Sequence, residues 1–131
     1  MPQIVVLTVG NDPVLLETRS QVLRTAGYIV VSARSIKQAI TKFLEGDFDL
    51  IVLCHSISEE ERQRFTAFIR ERNSRTPVVF VASSLGQRDP LADVTTQNDP
   101  QDLLTGLREA LTRNHEWLDD SQSQRLKRPQ I

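Results

Sequence analysis

Asp49-Leu50-Ile51-Val52-Leu53-Cys54 is aliphatic from Leu50 to Leu53 and ends on a small thiol, with Gly46 before it and polar His55-Ser56 after it. The run is too short for a helix, and it lacks the polar–apolar alternation of a strand with one wet face. Such a segment is covered on both sides, the condition of an inner strand in a parallel sheet. Ile4-Val5-Val6-Leu7 and Pro77-Val78-Val79-Phe80-Val81 have the same character. Tyr28 to Val31 reads as a further strand, and Asp93 to Thr96 as a short last one.

The segments between these runs carry helix signals. Asp12-Pro13 reads as an N-cap followed by proline at the first helical position, where its missing N–H is harmless. Val14, Leu15, Val22, Leu23 and Ala26 are the expected apolar stripe of that helix, and Gly27 the left-handed cap that ends it. Ser35 with Gln38, and Ser58 with Glu61, have capping-box spacing. The first box opens a helix with Ile36, Ala39, Ile40, Phe43 and Leu44 on one side, ended by Gly46. The second opens one carrying Phe65, Phe68 and Ile69, with Glu59, Glu60 and Glu61 at the positive end of its macrodipole. Asp99-Pro100 repeats the cap-plus-proline start ahead of Leu103, Leu104, Leu107, Ala110 and Leu111. Residues 83–92 hold few apolar side chains, so at best a short, irregular helix fits there. Strand and helix alternate five times, which implies right-handed crossovers and helices on both faces of one sheet. The expected fold is an α/β, flavodoxin-like, doubly wound five-stranded parallel sheet of order 2-1-3-4-5.

The chain has 131 residues, the size of one ordinary domain. Residues 1–112 are the expected domain and 113–131 a polar tail or linker. Trp117 in that tail is expected either to dock back or to mark a contact with another chain. Sixteen basic residues against seventeen acidic give a net charge of −1, so no bulk field points to nucleic acid or an anionic membrane. The expected domain holds no DNA-reading motif, and the tail is too short for a helix-turn-helix. No apolar run is long enough to span a bilayer, and the opening residues lack a signal peptide's charged flank and apolar core. The lone Cys54 has no internal disulfide partner. A cytoplasmic protein is the expectation.

In a sheet of this order, chemistry gathers at the carboxyl ends of the strands: here Gly10 to Asp12, Cys54 to Ser56, Ala82 to Ser84 and Thr95 to Gln97. Gly10-Asn11-Asp12-Pro13-Val14-Leu15, Ala26-Gly27-Tyr28, Phe48-Asp49-Leu50-Ile51-Val52-Leu53, Thr76-Pro77-Val78-Val79 and Asp99-Pro100 stand in the order and spacing of known landmarks. In these stretches the chain resembles the response-regulator receiver domains of bacterial two-component signalling over about residues 3–112. The resemblance implies an acidic pair after the first strand, a phospho-accepting aspartate after the third, a hydroxyl residue after the fourth and a lysine after the fifth. It also implies Mg²⁺, a hard cation held by carboxylate oxygens.

The sequence departs from that pattern at nearly every position. The acidic pair falls on Gly10 and Asn11, the acceptor on Cys54, and the hydroxyl on Ala82, with Ser83 beside it. The lysine falls on Thr96, or on Gln97 with a loop one residue shorter, and no lysine lies between Lys42 and Lys127. A degenerate receiver, or pseudo-receiver, without phosphorelay chemistry or a cofactor is the expectation.

Cys54 reads as a small buried residue; the sharper alternatives are a redox sensor in the vestigial pocket and a nucleophile with His55. Adjacent strand residues point to opposite faces, and no general base stands beside a nucleophile, so no enzyme is expected. Arg62, Arg64, Arg70, Arg72 and Arg75, mixed with glutamates, read as a solvated helix face. The resulting expectation is a signalling or adaptor module acting through protein contacts, with a partner or a second copy on the face of residues 83–112. The alternatives are a redox or small-molecule sensor and the receiver part of a longer transcriptional regulator.

Overall fold

The computed structural model describes residues 3–72, 74–83 and 87–112. Five parallel strands, β1 (Val5–Val9), β2 (Ile29–Ala33), β3 (Leu50–Cys54), β4 (Val78–Val81) and β5 (Val94–Thr96), form one sheet of order β2-β1-β3-β4-β5. They alternate with helices α1 (Pro13–Thr25), α2 (Ile36–Glu45) and α3 (Glu59–Glu71), and residues 100–112 form a last helix, α4. This is the doubly wound order expected from the alternation of runs.

Every residue of β3 is buried, because β1 and β4 flank it and apolar clusters cover both faces. One cluster joins Leu7, Ile51 and Leu53 to Phe65 and Ile69 of α3. The other joins Val6, Val52 and Val79 to Leu23 of α1 and Leu103 and Leu107 of α4. Two aspartates pin the strand starts. Asp49 accepts from Val5 N–H at 2.8 Å through its carboxylate and donates its own N–H to Val5 O. Asp93 does the same with Val78, at 2.7 Å. Both therefore stand just outside the strands in which the sequence placed them.

All four expected N-caps form. Asp12 accepts from Val14 and Leu15 N–H, Ser35 from Gln38 N–H, Ser58 from Glu61 N–H and Asp99 from Asp102 N–H. Gly27 takes φ 101°, the left-handed conformation that lets the chain turn out of α1.

Several expectations need correction. The α1 stripe is rotated: Val14 is 72% exposed and Ala26 is exposed. Leu16, Arg19, Ser20 and Leu23 are the buried residues. They follow the i, i+3, i+4, i+7 spacing of one helix face, but two are polar, which hides the face from a hydrophobic reading. Leu44 points outward at the end of α2, and β2 runs Ile29–Ala33, leaving Tyr28 in the turn. The described residues between β4 and β5 contain no helix. The Asp89 carboxylate there accepts from Leu91 N–H and from Arg62, which holds the segment in a turn. The readings of Ser84, of Trp117 and of the tail fall outside the described residues.

Candidate functional site

The carboxyl ends of β1 and β3 meet at Gly10 and Cys54. A Cβ on Gly10 would lie 3.3 Å from Cys54 Sγ and 3.4 Å from Leu16 Cδ1, so the space beside the thiol is already filled. Gly10 N–H bonds to Ala33 O, and Asn11 N–H bonds to Ser56 Oγ at 2.9 Å, joining the loops after β1 and β3. Cys54 is 1% exposed. Burial pushes its thiol pKa up, and the charge and hydrogen bond of Arg19 offset only part of that rise.

Arg19 is the residue near this site that sequence reasoning missed. It leaves the buried face of α1, is 5% exposed, and donates to Asn98 Oδ1 in the loop after β5. A cation carried by a helix thus stands near the end of β3 while bonded to the loop after β5. The available signal was its spacing, three residues after Leu16 and four before Leu23.

The remaining candidates do not converge on the thiol. Ala82 is buried and donates its N–H to Thr96 O. Ser83 is exposed and turns to Gln87. Thr96 points at α4, since a Cβ on Gly106 would meet Thr96 Cγ2 at 1.9 Å, and its buried hydroxyl has no partner among the described residues. Gln97 lines a cavity of about 180 Å³ with Arg19 and Asn98.

The donor set does not fit Mg²⁺. Gly10 offers no side chain, Cys54 a soft and protonated sulfur, and a guanidinium occupies the neighbourhood, where a hard cation wants carboxylate oxygens. Asp12, the nearest acid in sequence, is engaged as the α1 cap. Among the described residues no three His, Cys, Asp or Glu side chains gather in a metal-holding group.

His55 sits at the rim. Burial lowers its pKa below the ordinary histidine value, Arg19 and Arg62 add to that, and Asp12 opposes it.

The arginine run of α3 corrects another expectation, because Arg62 is not on a solvated face. Its Nε donates to Asp89 Oδ2 at 2.8 Å, with the side chains 4% and 1% exposed. Its guanidinium lies 4.2 Å from the centre of the Phe80 ring and also donates to Ile57 O. Arg70 likewise bridges to Asp93 and to the carbonyls of Ser74 and Thr76. Arg64 makes an exposed helical pair with Glu60, as the sequence suggested.

Comparisons with known proteins agree with this fold. The sequence pattern of the family described as "Response regulator receiver domain" matches residues 6–105. A comparison with curated proteins finds no match. Among solved structures, the signal receiver domain of an HD domain-containing protein from Pseudomonas fluorescens Pf-5 superposes with TM-score 0.75 at 20% identity, covering 88% of this chain and 99% of that one. The chemotaxis response regulator CheY4 of Vibrio cholerae gives 0.75 at 21% identity, covering 84% and 100%. The response regulator protein TrrA of Thermotoga maritima, in complex with Mg²⁺ and BeF, gives 0.71 at 20% identity, covering 83% and 99%.

Proposed function

From the premise that the chain belongs to the response regulator receiver domain family, we propose that it is an atypical signalling or adaptor module acting through protein contacts without aspartyl phosphorylation. The observation that supports this reading is the closed end of β3: a buried thiol beside Gly10 and near Arg19, at the position to which the resemblance assigns the acceptor. A thiol cannot form an acyl phosphate, and Gly10 and Asn11, to which the resemblance assigns the acidic pair, carry no carboxylate.

The redox alternative draws less support. A reactive cysteine needs thiolate character and access, whereas Cys54 is buried with its pKa pushed up. The reading as the receiver part of a longer regulator draws on relatives of that architecture, such as the HD domain-containing protein above.

The contact face proposed for a partner or a second copy combines residues 87–93, where Leu91 is exposed, with β5 and α4. The test is native mass measurement together with cross-linked capture from lysate, using Leu91→Asp as the face variant. The reading predicts a specific complex or dimer that the variant loses. A partnerless monomer in both forms rejects it.

A further inference from the structure

β2 is an edge strand, paired with β1 on one side only. The bonds from Ile29 N–H to Ile4 O and from Gly10 N–H to Ala33 O turn the peptide groups of Ile29, Val31 and Ala33 inward. In a parallel strand the alternate residues then face away, so Val30 and Ser32 present their N–H and C=O groups at the open edge. The strand, Ile-Val-Val-Ser-Ala, carries no proline, lysine or inward-pointing charge, the usual devices that keep an edge from pairing.

This edge runs into a groove of about 740 Å³ between α1 and α2. The two walls differ. Lys37 and Lys42 stand on the α2 side, with Arg34 at the end of β2; Pro13, Leu16 and Glu17 stand on the α1 side. The three cations are exposed and have no ion-pair partner among the described residues, whereas Glu17 already faces Gln21 and Arg24. A strand laid on β2 would send alternate side chains to the two walls, acids toward α2 and apolar groups toward Pro13 and Leu16.

We propose that the β2 edge is a second docking site, which takes an extended partner segment of alternating acidic and apolar residues as a sixth strand. A second copy of this chain is a poorer occupant, because pairing β2 with β2 about a two-fold axis sets the cationic rims against each other. The site lies away from the face of residues 83–112, so its failure leaves the reading of the vestigial pocket untouched.

The probe is a synthetic Glu-Val-Glu-Val-Glu-Val-Glu peptide titrated into the full chain, with amide shifts and hydrogen exchange followed residue by residue. The proposal predicts saturable shifts along β2, slowed exchange at Val30 and Ser32, and binding weakened about 10-fold or more by Lys37→Glu with Lys42→Glu. Both lysines are exposed, so the variant keeps the fold. Absence of binding, equal binding of the Lys-Val counterpart, or shifts elsewhere would overturn the proposal. So would a concentration-dependent dimer that protects Val30 and Ser32 without peptide.

Discussion

The Arg62 guanidinium meets the Asp89 carboxylate at 2.8 Å with both side chains nearly out of water, so α3 and the β4–β5 connection are joined by a buried ion pair. Removing one partner strands the other charge in the interior, which costs about 3–5 kcal/mol. Arg62→Met and Asp89→Leu are each expected to lower urea stability by about that amount. The double variant is expected to lose less than either single change, because no lone charge remains. A double-mutant cycle measures this coupling.

Gly106→Ala is expected to reverse the usual helix rule. In an open helix the change stabilises by about 1 kcal/mol. Here the added Cβ would fall 1.9 Å from Thr96 Cγ2, an overlap of the kind that costs about 1–3 kcal/mol. Thr96→Ser removes the offending methyl and is expected to restore most of the loss in thermal unfolding.

Gly10→Ala tests the closed end of β3 in the same way. The new methyl would lie 3.3 Å from Cys54 Sγ and 3.4 Å from Leu16 Cδ1. The thiol must give by a few tenths of an ångström, and the loss is expected to be smaller than that of Gly106→Ala. Cys54→Ala in the same chain is expected to relieve part of it.

The strands, their order and the four helix caps were legible in the sequence, because aliphatic runs and Asx or Ser caps act locally. What stayed hidden were charges used as core. Arg19 and Arg62 occupy buried helix faces among apolar neighbours, and a reading that assigns arginine to solvent rotates the α1 stripe away from Leu16. Asp89 was invisible for the same reason, since its partner lies 27 residues away. The candidate pocket was legible as a set of positions, but among the described residues these fall into separate contacts, Gly10 beside Cys54 and Ala82 bonded to Thr96, rather than one converging cluster.

His55 gives a pH signature. Its pKa is lowered in the folded state, so as pH falls below the unfolded value of about 6.5 the unfolded chain binds the proton first. The contribution is therefore intact above that pH and lost as pH falls toward the folded value. Thermal midpoints are expected to drop over this window, and less so in His55→Gln. Ring titration by NMR locates the folded midpoint below the ordinary histidine value.

Cys54 is expected to resist alkylation by iodoacetamide in the native state, since burial keeps it protonated and covered. Its labelling rate should follow the population of opened chain, rising with urea. Rapid native labelling would revive the sensor reading.

The most direct measurement combines Mg²⁺ with beryllofluoride in an amide-shift titration, alongside intact mass after incubation with a small phosphodonor. The account predicts no saturable shift at Gly10, Cys54 or Ser83 and no added phosphoryl mass. A Mg²⁺-dependent, saturable response centred on Cys54, or a phosphoryl adduct on the chain, would contradict it.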